Sequence, residues 1–74
     1  MAQGFIHTVY KDKQWINEVE GGAELGGVHA TKEEAVRAGR ARAEQDRTEH
    51  VIHNQDGAIS DRKSYGRDPV SRPG

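Results

Sequence analysis

The stretch His50-Val51-Ile52-His53-Asn54-Gln55-Asp56-Gly57-Ala58-Ile59-Ser60 decides the fold. Two β-prone runs flank Asp56-Gly57, and glycine accepts the positive φ angles that a chain reversal demands. The segment predicts a hairpin with strands over 49–54 and 58–64. Ser64-Tyr65-Gly66-Arg67-Asp68-Pro69 follows and opens a C-terminal tail, 66–74. In that tail Gly66 is expected to supply a bend and Asp68-Pro69 an extended exit, with Tyr65 folding back onto the core, the alternative being a peptide-like arm that docks on another subunit.

Upstream of the hairpin, Thr31-Lys32-Glu33-Glu34 has the form of a capping box, whose threonine hydroxyl and Glu34 carboxylate satisfy free amides at a helix start. A helix over about 32–46 is predicted. Ala35, Gly39 and Ala43 recur at four-residue intervals beside Val36, and such a stripe of small residues lets a helix lie close to a sheet. Glu33–Arg37 and Arg40–Glu44 have the spacing of ion pairs on its outer face. Further upstream, Phe5-Ile6-His7-Thr8-Val9-Tyr10 and Gln14-Trp15-Ile16-Asn17-Glu18-Val19-Glu20 are rich in β-branched and aromatic types and predict two strands joined by a turn at 11–13. Residues 21–30, with four glycines, are expected to form an irregular connection.

The predicted order is β-β-α-β-β. That makes a single α+β domain over 1–74, an antiparallel, roughly four-stranded sheet with one helix packed on one face. A strand order of 2-1-3-4 would make every neighbour antiparallel. One helix covers one face, so the other is expected to meet solvent, a partner or a ligand.

Composition narrows the function. Eleven basic against 12 acidic residues leave a formal net charge of −1, which argues against bulk DNA or an anionic membrane as the partner. The charges are not segregated along the chain either. No apolar run approaches the ~20 residues needed to cross a bilayer, and no cationic leader followed by an apolar run is present, so a cytoplasmic protein is expected. Seventy-four residues lie near the lower limit for a self-sufficient core, and the absence of cysteine removes the disulfide remedy. Self-association is the remaining common remedy, so a homodimer is expected.

Catalytic chemistry finds no foothold. Ser60, Ser64 and Ser71 lack a nucleophile elbow, and Gly21-Gly22 and Gly26-Gly27 lack the context of a phosphate loop. No enzymatic activity, cofactor or metal is expected. His50 and His53, three apart on a strand, fall on opposite faces, whereas His7 and His53 can align across strands on one face. Two ligands without a carboxylate or thiolate make a weak metal site. The interaction candidates are Tyr10, Trp15, His53 and Tyr65, chiefly because large aromatics dominate contact energies. An alternative function is nucleic-acid binding through Arg37, Arg40, Arg47, Arg62, Lys63 and Arg67 with the sheet aromatics as stacking platforms. The interleaved Glu33, Glu44 and Glu49 and the absence of a basic excess favour a non-enzymatic interaction module instead.

Trp15, Glu20-Gly21, His29-Ala30-Thr31-Lys32-Glu33-Glu34-Ala35, His53-Asn54-Gln55-Asp56-Gly57-Ala58-Ile59 and Ser64-Tyr65-Gly66-Arg67-Asp68-Pro69, in this order and spacing, resemble domain-of-unknown-function family 2188, a group of small, mostly bacterial proteins. That family has no established activity, so the resemblance implies no catalytic residue. Against its pattern, His50 and Asn17 stand where aliphatic side chains are expected, and Arg42 where the helix more often carries an apolar one.

Overall fold

The computed structural model describes residues 4–22 and 24–65. Three strands, β1 (Ile6–Lys11), β2 (Gln14–Val19) and β3 (Glu24–His29), precede the helix α1 (Lys32–Asp46), and β4 (Glu49–His53) and β5 (Ile59–Ser64) follow it. The strands form one sheet in the order β3-β2-β1-β4-β5. The helix packs across β1, β2, β3 and β4. The tail 66–74, with its bend at Gly66 and exit at Asp68-Pro69, lies outside the described residues.

The first turn needs no glycine. Asp12 and Lys13 carry φ of 52° and 65°, the left-handed pair that matches the twist of a two-residue hairpin. The helix begins where its sequence indicates: Thr31 is extended at φ −126°, and its hydroxyl accepts from the Glu34 amide at 3.2 Å, the half of the capping box that forms among the described residues. It ends at Arg47, left-handed at φ 56°, whose amide returns to Ala43 and Glu44. In the β4–β5 connection Gly57 takes φ 98°, the Asn54 amide donates to Ala58 O at 2.8 Å, and Asp56 Oδ1 accepts from the Ala58 amide at 3.0 Å.

Two expectations are corrected. Residues 24–29 are strand β3 rather than irregular connection, so the order is β-β-β-α-β-β and the sheet has five strands. The sheet is mixed, because β1 and β4 pair in parallel with Ile6 opposite His50 and Thr8 opposite Ile52. These two differences are one. An added strand before the helix reverses the chain once more, so the helix starts at the opposite end of the sheet. It then delivers β4 in the same direction as β1, as crossover connections do. The spatial order of the four anticipated strands stands; only the β1–β4 direction differs.

Pairing register assigns the faces. Thr8 lies opposite Asn17, Tyr10 opposite Trp15, and Ile6 opposite Val19 and His50, all on the helix side. His7, Val9, Ile16, Glu18, Val51 and His53 alternate onto the other side. Ala35, Gly39 and Ala43 are the buried helix positions, in keeping with the small-residue stripe.

Beneath the helix the sheet is polar where an apolar core would be expected. Thr8, Asn17 and His50 are all buried. Thr8 Oγ1 donates to Asn17 Oδ1 at 2.5 Å, and Asn17 Nδ2 donates to Ala35 O at 3.0 Å. The Thr8 oxygen lies 2.7 Å from His50 Nε2. Since its one hydrogen points to Asn17, it accepts from Nε2–H, which sets the tautomer of a neutral imidazole. Asn17 and His50 thus occupy their unexpected places as partners of one another through Thr8. Gly39 roofs this group: a Cβ there would lie 2.5 Å from Asn17 Oδ1 and 2.6 Å from His50 Nε2. Arg42 is exposed and held by Asp46 at 2.9 Å, so it removes nothing from the core.

Burial, and after it the neighbouring His7, pushes the His50 pKa below its ordinary value against a smaller opposing influence from Asp61. The folded imidazole is therefore harder to protonate than the unfolded one, and acid favours the unfolded chain. The His50 contribution to stability is complete above about pH 6.5 and is lost as pH falls below it toward the lowered folded-state value. His50→Gln keeps an N–H near Nε2 and removes the titration. Denaturant titrations between pH 7.5 and 5 are expected to show a shallower acid loss for this variant than for the parent; equal slopes would contradict the assignment.

Candidate functional site

The face opposite the helix carries a histidine pair. His7 on β1 and His53 on β4 stack with ring centroids 5.2 Å apart, and His7 Nδ1 lies 2.9 Å from His53 Nε2. Their protons can be placed. His53 Nδ1 is 3.0 Å from Gly57 O, which only accepts, so Nδ1 carries the hydrogen. Neutral His53 then accepts at Nε2 from His7 Nδ1–H. That leaves His7 Nε2 facing Glu20 Oε1 at 3.7 Å. A backbone carbonyl, two imidazoles and an acid thus run in one line across the sheet. The two rings meet as hydrogen-bond partners, and among the described residues no group of three or more His, Cys, Asp or Glu side chains is arranged to hold a metal ion.

Around this pair the surface alternates. Val9, Ile16 and Val51 form its apolar middle, with Ile16 and Val51 buried and Val9 half-buried. Lys11 bridges Glu18 and Glu24 at 3.8 Å each, and Arg62 meets Glu49 at 3.0 Å. A shallow depression lined by Lys11, Gln14, Ile16, Glu24 and Val28 lies at the β2–β3 side.

The two sheet edges differ. At β3, Trp15 faces His29 and Asn17 faces Leu25, so Gly26, Gly27 and Val28 oppose Ile16 alone. This bulge, with Gly27 at φ 87°, breaks the regular ladder that an incoming strand would need. Strand β5 carries a one-residue bulge at Ser60, where Ile52 faces Asp61 and His53 faces Ile59, and pairs regularly from Asp61 to Ser64. All six of its residues are exposed, its Ile59 at 57 %, and it pairs with β4 on one side only. The helix leaves it uncovered except at Lys32, whose ammonium reaches Ser60 Oγ and Asn54 Oδ1 at 3.2 Å each.

The interaction candidates fall in different places. Trp15 is 6 % exposed on the helix side, tilted against Tyr10 with centroids 5.0 Å apart and capped by the Lys32 ammonium 5.6 Å from its ring centre. These two aromatics fasten the helix start to the sheet and do not lie on the uncovered face. His53 does lie there. Tyr65 is half-buried at the end of β5, where its amide donates to Thr48 O at 3.2 Å.

The nucleic-acid candidates are dispersed. Arg37 and Arg40 line a shallow groove on α1 with Lys32, Glu33 and Val36. Arg40 pairs with Glu44 at 3.4 Å, whereas Arg37 makes no ion pair with Glu33 among the described residues. Arg47 forms the helix C-cap, Lys63 is on the helix side of β5, and Arg62 is on the other side. Arg67 lies outside the described residues. Sequence patterning did not single out Thr8, Glu20 or the free edge of β5. The one available signal was Gly39 in mid-helix, which requires something on the sheet to approach closely.

A five-stranded mixed sheet with one helix, a histidine pair on the face away from the helix and a free edge at β5 defines a small α+β domain. The chain belongs to the family described as uncharacterized protein conserved in bacteria (DUF2188), which matches residues 6–65. No curated protein and no solved structure matches the chain. Among the described residues no helix is long and apolar enough to cross a membrane.

Proposed function

We propose that this chain is a cytoplasmic, non-enzymatic interaction module that associates with a second copy of itself through its sheet. The observation that carries this is β5, a fully exposed edge strand outside the footprint of the helix, with one side of its backbone unpaired among the described residues. An open ladder of this kind is a ready template for a further strand. The core supports the same conclusion. Its buried apolar residues are Ile6, Trp15, Ile16, Ala35, Ala43, Val51 and Ile52, two of them alanines, and no cysteine is present to staple the fold. A domain of this size gains most from burying further surface against a partner.

Sedimentation equilibrium tests the proposal. At high micromolar concentration the expected mass is twice the 8.2 kDa of one chain, falling toward one chain on dilution. A single-chain mass at every concentration would remove self-association.

A further inference from the structure

We infer that two copies join by antiparallel pairing of β5 with β5 about Arg62, placing Asp61 of each opposite Lys63 of the other; this rests on the self-association proposed above. The choice follows from symmetry and charge. A two-fold dimer made by antiparallel edge pairing has its axis perpendicular to the sheet, so both helices lie on the same side. Directly opposed residues share a face, hence only registers that oppose residues of like parity are allowed. On β5 the helix-side residues are Asp61, opposite Ile52, and Lys63, opposite His50; Arg62, opposite Val51, is on the other side.

Few registers remain. Centring on Asp61 sets that carboxylate against its own copy. Centring on Lys63 sets two ammonium groups together. Centring on Ser60 puts the axis on the bulge and leaves Lys63 beyond the paired segment. Centring on Arg62 alone opposes unlike charges, Asp61 with Lys63, twice by symmetry, within the regular part of the strand. Opposite charges directly across a ladder attract and like charges repel. The one like pair in this register is Arg62 with its copy, and each guanidinium is already neutralised by Glu49 of its own chain at 3.0 Å.

The charges of this edge therefore do not act only as protection against pairing. Lysine on an edge normally repels a further strand. Here the alternation of Asp61 and Lys63 repels a strand in the wrong register and accepts a copy of itself in one. The other edge offers no comparable ladder, because its bulge opposes Gly26, Gly27 and Val28 to a single residue. The result is a continuous ten-stranded sheet, from the five strands of each chain, with both helices on one side and both histidine pairs on the other.

Charge reversal separates this register from all others. All three variants change only exposed side chains, and circular dichroism verifies that each stays folded. Lys63→Asp sets acid against acid twice, and Asp61→Lys sets base against base twice. Each is expected to raise the dimer dissociation constant by about tenfold or more, from contributions of the size measured for cross-strand pairs. The double variant Asp61→Lys with Lys63→Asp restores the opposed charges in exchanged positions and is expected to return to within about threefold of the parent. A parent dimer indifferent to both single reversals, or a double variant no better than the singles, would overturn the register while leaving self-association standing. A parent that is monomeric throughout would instead remove self-association itself.

Discussion

Gly39→Ala is expected to destabilise the domain, against the ordinary effect of that substitution. In an exposed helix interior alanine exceeds glycine by about 1 kcal/mol. Here the new methyl would sit 2.5 Å from Asn17 Oδ1, 2.6 Å from His50 Nε2 and 2.9 Å from Thr8 Oγ1, closer than real Cβ atoms approach such atoms. None of the three can withdraw freely, since each holds the next by a hydrogen bond in the buried layer. The helix must lift from the sheet or the polar group must break. Overpacking of this kind costs about 1–3 kcal/mol beyond the propensity gain, a melting temperature lower by roughly 4–8 °C for each net kcal/mol in a domain of this size. Thermal unfolding decides the sign. A Gly39→Ala variant more stable than the parent would mean that the polar layer is looser than its distances indicate.

Thr8→Val is expected to have a larger effect despite its near-identical shape. The hydroxyl makes two of the bonds in the layer, one given to Asn17 Oδ1 and one accepted from His50 Nε2–H. Valine leaves both groups buried without that partner, and each orphan costs about 1–3 kcal/mol, so a loss of roughly 2–4 kcal/mol is expected in denaturant unfolding. Replacing the whole group by Thr8→Val, Asn17→Leu and His50→Leu removes the polar demands together. That triple variant is expected to be less destabilised than Thr8→Val alone, because paired removal avoids desolvated orphans. A triple variant worse than the single one would show that packing, not polar satisfaction, determines stability here.

How far the sequence could be read follows from where its signals were local. The helix limits, 32 and 46, were legible because Thr31 and the Ala35-Gly39-Ala43 stripe act within one or two turns. The second hairpin was legible from Gly57, whose backbone angle requires glycine. Strand β3 was not. Its Gly26-Gly27 pair has the composition of a loop, and only the partner strand β2 turns the segment into a bulged edge. That omission then reversed the β1–β4 direction, a long-range consequence of one short element.

The site was legible in part. Strand periodicity sends His7 and His53 to one face and His50 to the other, as the structure has them. Asn17 and His50 read as misfits in an apolar row because their partner, Thr8, is itself an ordinary strand residue that draws no notice. Trp15 and Tyr10 read equally as contact anchors or core, and only the position of Lys32 above Trp15 decides between the two.

Self-association through β5 is tested most directly by amide hydrogen exchange followed by NMR at two protein concentrations. Amides of residues 60–64 that point away from β4 are expected to be protected at high micromolar concentration and to lose that protection on dilution, with the amides of β3 unchanged. Exchange along β5 at one rate across both concentrations, or a concentration dependence confined to β3, would contradict it.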